Sequence, residues 1–291
     1  MTGLTKHCIL PLTCALLGCT TGFAGQMMYV STGGDNAIHR LGADGVLTTL
    51  ATGFNNPQGL ALDQFGNLFV ANGGDCTIRR VTPGGQVSTF VSLVSTPVGL
   101  AFDQSGNLYS AEGNYGSVFR ITPAGAISIF NNTLNSPFGL AFDSQGDLYV
   151  ANTYPGTITR IKPDGQASTF ASGFSYPDGL AFDSHDNLYV VDAMHQNVSR
   201  VKPDGTVSVF ATGFWLASGA AVDALDNLYV ADVAAGSVIK STPEGESSTF
   251  ISGLSEPHFI AIATIPEPAA CALIVAGLSL LCLQTLGRRL S

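Results

Sequence analysis

The sequence has little charge. Only 11% of its 291 residues are Asp, Glu, Lys or Arg, and the formal net charge is −9. Twelve basic residues against 21 acidic ones cannot build the positive surface that a phosphate backbone requires, so nucleic acid is excluded as a partner. The acidic excess is spread along the chain and serves solubility. Cysteine is nearly absent from the body of the protein. Cys8, Cys14, Cys19, Cys271 and Cys282 lie in two apolar ends, and only Cys76 lies between them. No internal disulfide is available, so stability has to come from packing. No stretch between the ends keeps a helical period. Nucleophile elbows, phosphate loops and zinc-spaced Cys/His clusters are also missing.

What the sequence does have is a forty-residue unit, repeated without change of period. Its core is Pro-x-Gly-Leu-Ala-Phe-Asp-x-x-Gly-Asn-Leu-Tyr-Val-Ala-Asn. Its Asp recurs at Asp63, Asp103, Asp143, Asp183 and Asp223, and a basic residue recurs at Arg40, Arg80, Arg120, Arg160, Arg200 and Lys240. Each unit contains four short runs rich in Val, Ile, Phe, Tyr and Thr, around 59–63, 67–72, 77–81 and 86–91 in the second unit. Four strands per forty residues make one blade of a β-propeller. Asp63 and its equivalents suit a tight turn between strands one and two, and Pro83 with Gly85 suits another between strands three and four. Small residues (Ala61, Ala101, Ala141, Ala181, Ala221, Ala261) fit the crowded axis. Leu50, Phe90, Phe130, Phe170, Phe210 and Phe250 fit the wider rim. Regularity of this kind assigns the Asp63 column to turns and the Arg40 column to pairing between blades.

The ends set the blade count. Runs near 28–30, 37–41 and 46–51 match strands two to four of a blade, and the run at 259–262 matches strand one. Joined, they complete a sixth blade and leave no open edge. The turn Asp is Ala263 in that last copy, where no turn has to follow. The expectation is an all-β, six-bladed propeller over residues 25–265, with four antiparallel strands per blade.

Two connections per unit barely vary, and two vary freely. The variable ones are the loops after strand two and the blade-to-blade loops, which end in Gln58, Val98, Phe138, Asp178, Ser218 and His258. In a propeller these share one face, which becomes the expected binding face. The polar column Asn72, Glu112, Asn152, Asp192 and Asp232, with Thr32 in the first copy, has two readings. It either rings the channel mouth with oxygen ligands suited to Ca²⁺, or caps loops one blade at a time. Recurrence in every blade favours the local task. Asp178 and His258, with Glu112, Asp192 and Asp232 as neighbours, are candidates for metal ligation or acid–base work. Gln58, Tyr115, Tyr154, His195 and Trp215 complete the candidate ligand-binding set, the aromatics as surfaces for a sugar ring or a peptide.

The ends carry addresses. Residues 1–24 have Lys6, a short apolar run and small residues around Ala24, as a secretory signal does. Leu16-Leu17-Gly18-Cys19 also resembles a lipobox, which would place the processing at Cys19 instead. Pro266-Glu267-Pro268, an apolar stretch over 269–283 and Arg288-Arg289 together resemble the PEP-CTERM sorting signal. That resemblance implies a Gram-negative exporter, transient inner-membrane insertion, exosortase processing and delivery to the surface or matrix.

The unit Pro177-Asp178-Gly179-Leu180-Ala181-Phe182-Asp183 with Asn187-Leu188-Tyr189 resembles the NHL repeat. The resemblance runs from about Met27 to Ala263 and implies a protein, peptide or ligand binder. The unit is also similar to the gluconolactonase and virginiamycin B lyase propellers. The gluconolactonase group holds a divalent metal through Glu, Asn and Asp around its channel, and Asp178 matches one such position. Val98, Phe138 and Ser218 depart from that ligand set. The expected function is a non-catalytic binding or matrix module without a cofactor, contacting extracellular polysaccharide or a surface protein. The alternative is a lactonase, dependent on Ca²⁺ or another divalent metal, or a lyase-like enzyme working at the channel mouth.

Overall fold

The turns determine where each strand starts. Asp63 Oδ1 accepts the backbone N–H groups of Phe65 and Asn67 at 2.9 and 2.8 Å, and Oδ2 accepts the Asn67 amide at 2.8 Å. The same clasp recurs at Asp103, Asp183 and Asp223. It satisfies backbone donors that a bare turn would leave to solvent. The Pro-x-Gly turns close with Gly85 at φ 83°, its N–H on the Thr82 carbonyl at 2.8 Å.

The computed structural model describes residues 25–264, which form 24 strands in six four-stranded antiparallel sheets. Blade I holds β4 (Pro57–Leu62), β5 (Leu68–Asn72), β6 (Thr77–Val81) and β7 (Val87–Ser92). Blades II to V repeat it, with innermost strands β8 (Pro97–Phe102), β12 (Pro137–Phe142), β16 (Pro177–Phe182) and β20 (Ala217–Val222). In blade VI, β24 (Pro257–Thr264) pairs with β1 (Gln26–Thr32), which leads to β2 (Ala37–Leu41) and β3 (Leu47–Thr52). The expected closure is therefore present, with Met27 opposite Ala263 and Tyr29 opposite Ala261. Apart from one 3₁₀ turn at Gly73–Asp75, the described residues contain no helix, and none that could cross a membrane. The expected signal (1–24) and sorting (266–291) segments lie outside the described residues.

Apolar clusters fill the seams between neighbouring blades. One joins Ala61, Phe69 and Ile78 of blade I to Leu100, Leu108 and Ile121 of blade II. Towards the rim, rings meet edge to face: Phe69 with Phe90 at 4.9 Å, and Phe69 with Phe102 of the next blade at 5.1 Å. Tyr109 repeats this with Phe130 and Phe142, and Tyr149 with Phe170 and Phe182. The phenylalanine column does fill the wedge, and edge-to-face rings add to what area burial provides.

Two details differ from the sequence reading. The tightest approach at the axis falls two residues before the alanine column. A Cβ on Gly99 would lie 2.1 Å from the Phe138 carbonyl oxygen, and one on Gly139 2.1 Å from that of Asp178. Glycine, rather than alanine, therefore sets the inner diameter. The basic column works mainly within its own blade. Arg160 pairs with Asp147 and lies over Tyr149, Arg200 lies over Phe210, and Lys240 over Tyr229. Arg40 instead reaches the neighbouring blade, at the Pro83 carbonyl.

Candidate functional site

Every innermost strand carries an extra residue just after its first position. In blade I, Pro57 faces Asn72 while Leu60 faces Val70, so three steps on β4 match two on β5. Blade VI has the same irregularity, between Val30 and Thr32 on the β1 side. This β-bulge frees residue 58 and its equivalents from the ladder and re-aims them. All six (Gln58, Val98, Phe138, Asp178, Ser218 and His258) line one cavity of about 500 Å³ on the variable face. Thr96, Tyr176, Met194 and Leu216 form its upper wall.

The cavity has a floor. Phe259 stands where the other five blades have glycine, and its ring stacks on Phe138 with centroids 6.0 Å apart and planes 22° from parallel. The two rings come from blades III and VI, on opposite sides of a six-membered ring, so they meet at the axis and plug it. Beside them Ser31 fastens the closing seam. Its hydroxyl donates to the Gln58 carbonyl at 2.8 Å and accepts the Phe259 N–H at 3.0 Å.

Asp178 and His258 share this cavity. Asp178 is 6% exposed, and its Oδ1 has no hydrogen-bond partner among the described residues. Burial pushes its carboxyl up to about 8, against the opposing effect of the Ser218 hydroxyl. Burial pushes the His258 imidazole down, against the Glu256 carboxylate. A Cβ on Gly33 would lie 2.5 Å from His258 Nε2, so the imidazole rests over this glycine. Gln58 is held by its own loop, donating to Asn56 Oδ1 at 2.8 Å.

The polar column forms loop clamps. Asn72 Oδ1 accepts the Asn55 N–H at 2.7 Å, and Asn152 Oδ1 that of Asn135. Asp192 accepts from Ser175, and Asp232 from Trp215 and Leu216 at 2.8 and 3.1 Å. Each ties the incoming blade-to-blade loop to strand two of the same blade, and Asp192 and Asp232 also accept N–H groups of their own loops. Glu112 occupies this column and is as buried as its counterparts, but its side chain is held by a serine of its own strand. Ser110 donates to Oε1 at 2.7 Å, Oε2 has no partner among the described residues, and burial pushes the carboxyl up to about 7. Among the described residues, no group of three or more His, Cys, Asp or Glu side chains could hold a metal. Asp178 and His258 share the cavity, whereas Asp192 and Asp232 direct their carboxylate oxygens to loop N–H groups and Glu112 Oε1 is held by Ser110.

Of the ten candidate ligand-binding residues, the cavity collects Gln58, Asp178 and His258. Tyr115, Tyr154 and Trp215 are exposed on the surrounding loops, with Tyr154 set edge-on to Tyr176 of the cavity wall at 5.8 Å. His195 lies beside Met194, its Nδ1 2.8 Å from Asp192 Oδ2. Glu112, Asp192 and Asp232 serve beneath the loops. Sequence reasoning missed Phe259, although the break in a glycine column signals it, and it missed Leu216 on the rim.

No family model and no curated protein matches this sequence. Solved structures do match it. A chain of the nidogen/laminin complex superposes with a TM-score of 0.74 at 20% identity, over 82% of this chain and 98% of that one. A gluconolactonase from Xanthomonas campestris gives 0.68 at 18% identity, over 79% and 84%. Virginiamycin B lyase from Staphylococcus aureus gives 0.64 at 18% identity, over 85% and 94%. At such identities the likeness is one of architecture, a propeller shared by proteins with different tasks.

Proposed function

We propose that this chain is an exported binding module that holds a surface protein over its plugged channel mouth. The observation that carries this reading is the apolar rim around the cavity. Tyr115, Tyr154, Met194, Trp215 and Leu216 are all exposed on one loop face, with Trp215 at 74%. Aromatic and Met side chains around a concave apolar centre are the usual anchors of a protein interface. The two terminal signals support export and a surface address, with exosortase met on the way. Extracellular polysaccharide is the competing partner, since exposed Tyr and Trp also stack on sugars.

A photo-reactive residue at position 194, used in cells, tests this reading. The expected product is a cross-link to one surface protein, whose purified form binds about tenfold or more weakly to Trp215→Ala. Val209→Ser on the outer rim should leave that binding unchanged. Cross-links to polysaccharide alone would transfer the site to a carbohydrate. Absence of both would end the reading.

A second reading has one observation in its favour. Burial holds the Asp178 carboxyl protonated and the His258 imidazole neutral within one cavity, the states of an acid and a base at neutral pH. A lactonase or lyase-like enzyme would use them in that way. Hydrolysis of gluconolactone, abolished by Asp178→Asn, would favour it, and no turnover in wild-type protein would exclude that substrate.

A further inference from the structure

The face opposite the variable loops carries a second large cavity, in the seam between blades I and II. It encloses about 500 Å³ between the turns that begin at Asp63 and Asp103, and it reaches down to Leu108 and Ile121, which are 1% and 0% exposed. The equivalent seam between blades III and IV encloses about 80 Å³. The repeat makes the two directly comparable, position by position.

Three side-chain features fill the III–IV seam. Tyr149 occupies the aromatic position that blade I gives to Phe69, so blade I lacks a hydroxyl there. Arg160 is drawn onto Asp147 and over the Tyr149 ring, whereas blade I has Asn67 in place of that Asp. Asp186 reaches across the seam to Ser144, accepting its hydroxyl at 2.6 Å and its N–H at 3.1 Å. At the I–II seam the corresponding residues are Gly106 and Gln64, which cannot make that bridge. The II–III seam also lacks it, with Gly146 and Gln104, but keeps Tyr109, whose hydroxyl donates to Asp103 at 3.3 Å.

These departures converge on one groove. Phe69, Phe90 and Phe102 form an aromatic wall, and Arg80 lies beside them. Among the described residues, the Arg80 guanidinium has no acidic partner. A guanidinium next to an apolar wall, in a concavity of this size, matches a ligand with a flat apolar group and one anionic end. The carboxylates of Asp63 and Asp103 border the same groove, although their oxygens are engaged by turn N–H groups. Their charge disfavours a dianion, so a carboxylate suits the site better than a phosphate. Arg also matches the planar, two-oxygen geometry of a carboxylate.

We propose that the seam between blades I and II is a second binding site, for a small aromatic carboxylate lying against Phe69 and paired with Arg80. It is independent of the channel mouth, from which the Phe138–Phe259 plug separates it.

3-Phenylpropionate is the probe and 3-phenylpropanol its uncharged control, with binding to the purified protein read by titration calorimetry. Wild-type protein should bind the acid at millimolar or lower concentration. Arg80→Gln should weaken the acid about tenfold and leave the alcohol unchanged. Gln64→Ser, Asn67→Asp, Phe69→Tyr and Gly106→Asp together rebuild the filled seam with residues the other blades already use, and should abolish binding of both compounds. Asp178→Asn at the mouth should change neither. The proposal is overturned by no binding to wild-type protein, by equal binding of the acid to Arg80→Gln, or by binding that survives the filled variant. Binding that appears only after removal of residues 265–291 would make the chain's own tail the occupant, and would overturn it too.

Discussion

Replacing Asp178 with Asn should stabilise this protein at neutral pH and do nothing at acid pH. The folded state holds the Asp178 carboxyl near 8, whereas an unfolded chain holds Asp near 3.9. Below the unfolded value both states are protonated, and the residue is neutral in effect. Above it the unfolded chain ionises first, so each further pH unit favours unfolding by about 1.36 kcal/mol until the folded carboxyl also ionises. At pH 7, about three units above the unfolded value, the penalty reaches about 4 kcal/mol. Asn has the same shape, keeps a donor and an acceptor for Ser218, and has no charge to desolvate. Urea unfolding of wild type and Asp178→Asn at pH 4, 5.5, 7 and 8 reads the difference directly. The gap should be close to zero at pH 4, widen through pH 7 and level off above pH 8. A gap that stays constant with pH, or shrinks as pH rises, would refute the claim that this carboxyl is held dry.

Glu112→Gln should show the same sign over a narrower window, levelling off near pH 7, because burial raises that carboxyl to about 7. Ser31→Ala removes the bridge between the Phe259 N–H and the Gln58 carbonyl, leaving buried backbone groups unpaired. It should cost about 1–3 kcal/mol in denaturant unfolding. Gly139→Ala puts a Cβ 2.1 Å from a backbone oxygen that cannot rotate away, so the inner strands must part. A loss of about 1–3 kcal/mol is expected, with altered amide signals at the mouth. Phe259→Ala empties half of the plug. It should cost about 3–5 kcal/mol and admit a small apolar gas such as xenon to the axis, detectable by NMR.

Much of the architecture was legible because the repeat supplies its own controls. Asp63, Gly85 and Phe90 recur at fixed intervals, and each does the same work wherever it recurs. The closing blade was legible for the same reason, since Ala263 departs from the rule only where no turn follows. The binding face followed from loops that differ between copies. The site itself was harder to read, because it is made by contacts across the axis. Phe138 and Phe259 are 121 positions apart and touch only because six blades close the circle. The protonation of Asp178 was not legible, since burial depends on neighbours from other blades. Glu112 and Asp192 share a column, yet one is an isolated interior acid and the other a clamp for Ser175 and a partner for His195. Position in the repeat fixes the backbone, whereas the chemistry of each copy depends on what surrounds it.

The arrangement of blade VI bears on how the molecule is made. Its inner ribbon is among the last parts of the described chain to leave the ribosome, and its three partners are the first. Five sectors can assemble in order while the founding hairpins wait beside them with one flank bare. The eight residues of β24, Pro257–Thr264, then slot in and bring Phe259 to the axis. A product cut short before that point would lack both its clasp and its stopper, so only copies translated through β24 would have a finished cup.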